Sequence, residues 1–300
     1  MKILVTGSRG QLGNELRRCL ESMQAEIGPI PAEYEGAQVD YVDYDALDIS
    51  NAVQVSEWMA TRPYDLVINC AAATNVDGCE ADEDGAYRVN ALGPQNLAKA
   101  CQLQGAKMVH VSTDYVFPGN QPEPRRESDP TGPVSAYGRT KLAGEELAAA
   151  ACERLFTVRT AWLYGYAGKN FVKTMRSLGA SHESVTVVCD QLGNPTSAND
   201  LAYEILCLAV TDNYGTYHCT NEGTCSWAQF AQAVMEGSGL PCEVVPVTSA
   251  QYKQANPASA DRPAYSSLEN AHLAATIGNR MRPWEEALAM YLKNLPELEG

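Results

Sequence analysis

The opening of the chain constrains the fold most. Lys2-Ile3-Leu4-Val5-Thr6 is a short β-rich run. Gly7-Ser8-Arg9-Gly10-Gln11-Leu12-Gly13 follows it with GxxGxxG spacing, and Leu12, Leu16, Leu20 and Met23 then recur at helical spacing. A strand that feeds a helix through a glycine-rich turn opens a parallel-sheet unit. Side chains in that turn would obstruct the reversal, keep a pyrophosphate from the backbone N–H groups and hold the helix off the strand. The helix N-terminus adds partial positive charge at the same place. The expectation is a nucleotide cofactor held by Gly7, Gly10, Gln11, Leu12 and Gly13.

The alternation continues along the chain. Strand-like runs at Val39 to Val42, Asp65 to Asn69 and Lys107 to Val111 are separated by helical patterns from about Ala52 to Met59 and through Ala86 to Gln102. Near-continuous apolar strands between helices predict a parallel sheet covered on both faces. Asp114 to Ala136 is rich in proline and charge, and a loop of that length is usually functional or mobile. Beyond it the pattern predicts helices from Tyr137 to about Cys152, Asn170 to Leu178 and Ala198 to Val210, and strands at Leu155 to Val158, Val185 to Val188 and Gly215 to Cys219. The C-terminal part reads as a helix at Ser226 to Glu236, a strand at Cys242 to Val247, an irregular stretch at Pro257 to Pro263, and helices near Leu268 and Pro283. Met23 to Gln38 reads as an irregular excursion. The acidic residue that grips an adenosine ribose stands about 20 residues past the glycines in simple units; here the second strand ends near Asp43, with Asp48 and Ile49 just beyond. Arg9 either faces a 2′-phosphate or is a solvated surface arginine, so NADH and NADPH both stay open.

Charge and composition narrow the partners. Twenty-two Lys and Arg against 37 Asp and Glu leave a net charge of −15, a field that repels a phosphate backbone, and no basic patch is visible; nucleic acid is not an expected partner. No uncharged apolar run approaches the roughly 18 residues that cross a bilayer. Met1-Lys2 followed by three apolar residues does not read as a secretory signal. The expectation is a cytoplasmic protein with no membrane partner. The ten cysteines run from Cys19 to Cys242 without CxxC or zinc spacing, and Cys70, Cys101 and Cys207 sit in apolar patterns; they are expected to be reduced and structural.

Tyr137-Gly138-Arg139-Thr140-Lys141 places tyrosine and lysine four apart on one helix face. Bringing a phenol from its ordinary pKa toward neutrality takes about 4 kcal/mol, roughly what an ammonium about 4 Å away supplies at an effective dielectric near 20. Alone the pair is common on helix surfaces. Here it lies downstream of Val111-Ser112-Thr113-Asp114, whose hydroxyls sit at the carboxyl end of a parallel strand, where ligands bind in this architecture.

Together these residues resemble the extended, nucleotide-sugar branch of the short-chain dehydrogenase/reductase superfamily, and more narrowly the dTDP-4-dehydrorhamnose reductases. Segments 71–77, 111–117, 159–165, 170–173, 190–196 and 262–266 are each similar to that family and run in order over nearly the whole chain. The resemblance implies an α/β fold, a Rossmann-type doubly wound parallel sheet with a smaller C-terminal substrate lobe. The expected division is 1–165 plus about 197–222 for the cofactor domain and about 166–196 plus 223–300 for the sugar-nucleotide domain. It also implies reduction, with NADPH or NADH, of the 4-keto group of dTDP-4-dehydro-6-deoxy-L-mannose to dTDP-L-rhamnose, a step toward cell-wall polysaccharide.

By the same resemblance Thr113, Tyr137 and Lys141 form the catalytic triad. Tyr137 donates the proton, Lys141 lowers its pKa and holds the nicotinamide ribose, and Thr113 orients the carbonyl. Ala71 and Ala72 leave room for the cofactor, and Asn90 lies below the site or is an ordinary helix residue. Thr74, Val76, Asp114, Tyr115, Trp162 and Arg262 join Thr113 on the substrate side, with Trp162 packing on the sugar or in the core. Related 4,6-dehydratases carry Thr-Asp-Glu at this strand end; Tyr115 in the third position argues against dehydration. An NAD-dependent 4-epimerase is the enzymatic alternative, and a non-catalytic nucleotide-binding regulatory subunit is the third, disfavoured by the complete triad. Some members use magnesium at a dimer interface. Glu15 and Asp190 are present, but Cys189 stands where a second carboxylate belongs, and hard magnesium prefers oxygen. That thiol counts against both the metal and that particular dimer, so Glu15 and Asp190 are only weak ligand candidates, while magnesium and a homodimer stay open.

Overall fold

The structure, a computed structural model, describes residues 1–298. Its central sheet is built from β1 (Lys2–Thr6), β2 (Gln38–Val42), β3 (Leu66–Asn69), β4 (Lys107–Thr113), β5 (Leu155–Thr160) and β6 (Gly215–His218), in the order β6-β5-β4-β3-β1-β2. Every adjacent pair is parallel. The chain first winds outward from β1 to β2, then returns to the other side of β1 to lay down β3. Connections therefore leave in opposite directions at the carboxyl ends of β1 and β3, and the crevice between them is where doubly wound sheets bind ligands.

Side-chain alternation explains why these strands are apolar throughout. Ile3, Val5, Ile68, Val109, Phe156 and Val158 face one side, with Leu12 and Leu16 of α1 (Gln11–Ser22) and Leu201, Ile205 and Leu208 of α5 (Ala198–Ala209). Leu4, Val67, Met108 and Leu155 face the other, under Val55 and Met59 of α2 (Ala52–Ala60), Leu97 and Cys101 of α3 (Gly93–Gln104) and Ala148 of α4 (Ala136–Ala151). Both faces of each strand are thus buried, as a helix-covered parallel sheet requires. A third core of Tyr164, Val172, Met175, Phe230, Val234, Trp284 and Tyr291 lies apart from these two. It belongs to chain that leaves β5, builds a parallel pair from Ser184–Val188 and Glu243–Val247, and ends in the helix Trp284–Leu298.

Three stretches differ from the expected pattern. Met23 to Gln38 holds an antiparallel pair, Gln24–Ala25 with Gly28–Pro29, and a 3-10 turn at Ala32–Tyr34; the buried Tyr34 hydroxyl donates to the Leu206 carbonyl at 2.9 Å, and segments this short leave no periodicity. The Ala86 to Gln102 pattern is broken by a π turn at Arg88–Leu92 before α3 starts. Pro94 has no N–H to give the Asn90 carbonyl four residues back, so the helix cannot continue regularly there. Leu268 is extended, bridged to Arg125, and the helix lies at Ala271–Thr276. All ten cysteines are free, and among the described residues no helix is long and apolar enough to cross a membrane.

Candidate active site

A cavity of about 750 Å³ opens at the carboxyl ends of β1, β3, β4 and β5. Gly7, Gly10, Gln11, Leu12 and Gly13 form one wall. The three glycines do different things. Gly7 has φ +64°, and a Cβ on it would lie 2.6 Å from the Ala71 nitrogen; a Cβ on Gly13 would lie 2.6 Å from the Gly7 carbonyl oxygen and the Ser8 Cα. Both are demanded by packing of the loop against β3 and of α1 against the loop. A Cβ on Gly10 would meet only the Gly7 oxygen, at 3.2 Å, so its bareness serves the cavity. Gly13→Ala is accordingly expected to cost about 1–3 kcal/mol of stability. Gly10→Ala should hold its melting temperature and lose affinity for a dinucleotide, as thermal unfolding and a fluorescence titration would show.

Asp48 and Ile49 lie on the wall past β2, joined by Asp43 at the end of that strand and by Tyr44 and Leu47, which no sequence pattern marks. Arg9 is on the rim, not the wall. Its guanidinium pairs with Asp45 and, at 3.6 Å, with Asp43. The Asp43 carboxyl is held low despite partial burial, by N–H bonds from Tyr44 and Arg9 and by the Arg9 charge. Gln11 spends its amide across the cleft, accepting from the Gly165 N–H at 2.8 Å and from Asn170 at 3.1 Å.

Ala71, Ala72 and Thr74 continue the wall from β3, with Cys70 behind them; burial pushes the Cys70 thiol up to about 12. Asn90 does not reach the cavity. Its amide is used up on the Ala73 backbone, accepting from N–H at 2.8 Å and donating to C=O at 3.0 Å, and on Thr140 at 3.1 Å. Asn90 therefore fixes the alanine wall to α4 rather than touching a ligand. Its carbonyl points at Gly144, where a Cβ would lie 2.1 Å from the oxygen.

Thr113 stands at the end of β4, and Tyr137 and Lys141 lie on the first turns of α4, whose N-terminus is capped by Ser135 accepting from the Gly138 N–H at 3.1 Å. All three line the cavity. Burial raises the Tyr137 pKa well above the ordinary tyrosine value, against the neighbouring Thr113 hydroxyl that lowers it. Lys141 is not among the groups that shift the phenol in the ligand-free cavity, so the lowering expected from lysine is not seen there. Lys141 donates to the Val111 carbonyl at 2.6 Å; burial brings it down to about 8, against the Glu145 charge that raises it. An ammonium has three N–H groups, so two remain for a ligand. Ser112 Oγ and Thr160 Oγ1, also on the wall, are buried without a protein partner, which suits a cavity built to be filled by a polar ligand.

On the outer side Asp114 and Trp162 line the cavity. Trp162 has φ +46°, a strained backbone for a bulky residue, and stacks on Trp227 with centroids 3.6 Å apart, so it serves the lobe core and the cavity wall at once. Val76, Tyr115 and Arg262 are set back from the wall. Val76 opens the helix Val76–Ala81, Tyr115 packs edge-on against Tyr137 at 5.5 Å, and Arg262 binds Asp77 at 3.2 Å while its charge lies near the Tyr115 phenol. Glu15 and Asp190 each bond to partners within the chain. Glu15 accepts from Asn199 at 2.9 Å and pairs with Arg18 at 2.7 Å, while Asp190 accepts from the Ser249 N–H and hydroxyl. Among the described residues no group of three His, Cys, Asp or Glu comes together.

Known proteins are similar to this chain in sequence and fold. The family described as RmlD substrate binding domain matches residues 1–296. A dTDP-4-dehydrorhamnose reductase of Mycobacterium tuberculosis is 42% identical over 298 residues, 97% of this chain and 92% of the relative. A crystal structure of a dTDP-4-dehydrorhamnose reductase from Clostridium acetobutylicum is 44% identical with a TM-score of 0.91, covering 99% of this chain and 100% of the other. One from Bacillus anthracis, in complex with NADP, is 38% identical with a TM-score of 0.90, covering 98% and 99%.

Proposed function

The chain belongs to the dTDP-4-dehydrorhamnose reductase family, and from that premise we propose how its own residues carry out the reduction. It is a nicotinamide-dependent oxidoreductase that converts the 4-keto group of dTDP-4-dehydro-6-deoxy-L-mannose to the alcohol of dTDP-L-rhamnose. The observation that carries the assignment of roles is that Tyr137 and Thr113 line one cavity together at the end of β4, with Lys141 one turn along the same helix as Tyr137. When bound, a reduced nicotinamide supplies the hydride. The open Gly10 face, the bare alanines and the two free N–H groups of Lys141 fit a dinucleotide running along the glycine loop toward Thr113. Because burial raises Tyr137, its phenol is protonated at neutral pH, the form a reduction needs: an alkoxide is far more basic than a phenolate, and the proton moves downhill to it. The sugar nucleotide is placed against Trp162 and the lobe of residues 166–196 and 223–300.

The test is purified protein with the 4-keto-6-deoxy sugar nucleotide, following loss of NADPH or NADH absorbance. No oxidation of either sinks the reductase assignment. Tightly bound NAD with interconversion of UDP-sugars would point to an epimerase instead.

Cofactor choice is proposed to rest on Arg9 and Asp43. A 2′-phosphate brought to this rim gains Arg9 only by competing with two carboxylates, and Asp43 repels it. Asp43→Asn removes that charge and loosens Arg9. The NADPH-to-NADH ratio of kcat/KM is expected to rise about tenfold, equivalent to about 1.4 kcal/mol, measured by steady-state kinetics with each cofactor. An unchanged ratio rejects the assignment.

A further inference from the structure

Thr113 has more partners than one hydroxyl can share with a substrate. Its Oγ1 donates to Asp114 Oδ1 at 2.8 Å and accepts the Tyr115 N–H at 3.2 Å, and the Tyr137 phenol stands beside it, close enough for Thr113 to lower the phenol's pKa against burial. A hydroxyl has one proton and two lone pairs. An ionised Asp114 can only accept, so it claims the Thr113 proton, and the lone pairs go to the Tyr115 N–H and the Tyr137 O–H. In that state the chain of donors runs from Tyr137 through Thr113 to Asp114. The phenol proton points away from a substrate carbonyl, and Thr113 has no donor left to offer one.

We infer that Asp114 is a positioning residue for the reduction, acting in its protonated form to reverse this chain and turn the Tyr137 proton toward the substrate. In the reversed chain the Asp114 O–H donates to Thr113 and the Thr113 O–H donates to the Tyr137 oxygen. The phenol proton is then free to bond the 4-keto oxygen. As hydride reaches C4, the Tyr137 O–H bond breaks and its proton joins the new alkoxide; the phenolate takes the Thr113 proton and Thr113 takes the Asp114 proton. The alcohol has received one hydride and one proton. Asp114 is left ionised and regains its proton from water before the next turnover.

The surroundings of Asp114 favour such a role. It is 2% exposed, and its Oδ2 is buried with no hydrogen bond of good geometry; the Ser266 hydroxyl beside it lowers the carboxyl most, while donating to the Leu192 carbonyl at 3.3 Å. Burial raises the carboxyl to about 6, against hydrogen bonds that lower it. The titratable groups facing it are the Tyr115 phenol from its own turn and the Tyr137 phenol from α4. Arg262 reaches Tyr115 from the C-terminal stretch, and Lys141 is held by the Val111 carbonyl.

This inference rests on the reductase mechanism above, and its test separates the two. The single-turnover rate of the NADPH-loaded enzyme is expected to fall about tenfold per pH unit above about 6, and Asp114→Asn should lose that limb while keeping its affinity for NADPH. A second fall near 8, from Lys141, belongs to both proteins. Infrared titration of the cofactor-free protein should show a protonated carboxyl band lost with a midpoint near 6, absent from Asp114→Asn. Should that variant not fold, Asp114→Glu is expected to keep the limb at a displaced midpoint. The same limb in Asp114→Asn, the same midpoint in Asp114→Glu, or no carboxyl band at all overturns the inference. A wild type that reduces no 4-keto sugar nucleotide at any pH overturns the mechanism itself.

Discussion

Tyr137→Phe is expected to lower kcat by about 10²–10⁴-fold, the range for removing a positioned proton donor, with the protein still folded. The substitution deletes one oxygen and keeps the ring, so the edge-on contact with Tyr115 at 5.5 Å survives. Thr113 retains its bonds to Asp114 and the Tyr115 N–H, and Lys141 its bond to Val111. The loss should therefore fall on kcat, with KM for the sugar nucleotide and the NADPH affinity nearly unchanged, because the phenol proton matters only as charge develops on the oxygen. Steady-state kinetics beside thermal unfolding separate this from collapse of the site. Full activity in a folded Tyr137→Phe protein would falsify the role given to the phenol.

The parts of this site legible in the sequence are those carried by short segments. A strand, a glycine turn and a helix follow one another directly, and Tyr137 and Lys141 share a helix face, so local periodicity suffices. What escaped it depends on contacts far apart in the chain. Asp77 and Arg262 meet only because the C-terminal stretch returns over the helix after β3, where Asp77 also accepts the Ala260 N–H at 2.8 Å. Asn90 stands in a helical pattern, yet its function follows from Pro94, whose missing N–H opens the turn. The lysine that was expected to lower the phenol instead bonds a carbonyl, and burial sets the sign of the shift.

The net charge of −15 is sharpened in the same way. Of the cations near the cavity, Arg9 and Arg262 are already paired with carboxylates. Two anionic ligands must therefore be met by the glycine-loop N–H groups, Lys141 and Lys169 on the wall, or by prising those arginines from their partners. That competition is the physical reason Asp43 is expected to govern cofactor choice.

Glu145→Ala is expected to destabilise the protein by about 3–5 kcal/mol, the cost of leaving a buried charge without its partner. Arg159 on β5 donates from Nε and Nη2 to the Glu145 carboxylate at 2.7 to 3.1 Å, and both side chains are almost fully buried. Arg159 Nη1 already lacks a partner, so the variant strands the whole guanidinium against the Phe117 ring. Against a total stability of about 5–15 kcal/mol that is a large share, and the melting temperature should drop by about 10 °C. The same carboxylate raises Lys141 one turn earlier on α4. Its removal leaves burial unopposed, so Lys141 loses its proton at lower pH and the alkaline limb of the rate moves acid-ward. Replacing both partners with methionine separates the two effects. Apolar side chains of similar volume often restore the stability of a buried pair, whereas the charge on Lys141 has no substitute. The double variant should therefore unfold near the wild-type temperature and keep the shifted limb. If its limb returned to the wild-type position along with its stability, Glu145 would be holding the helix in place and nothing more.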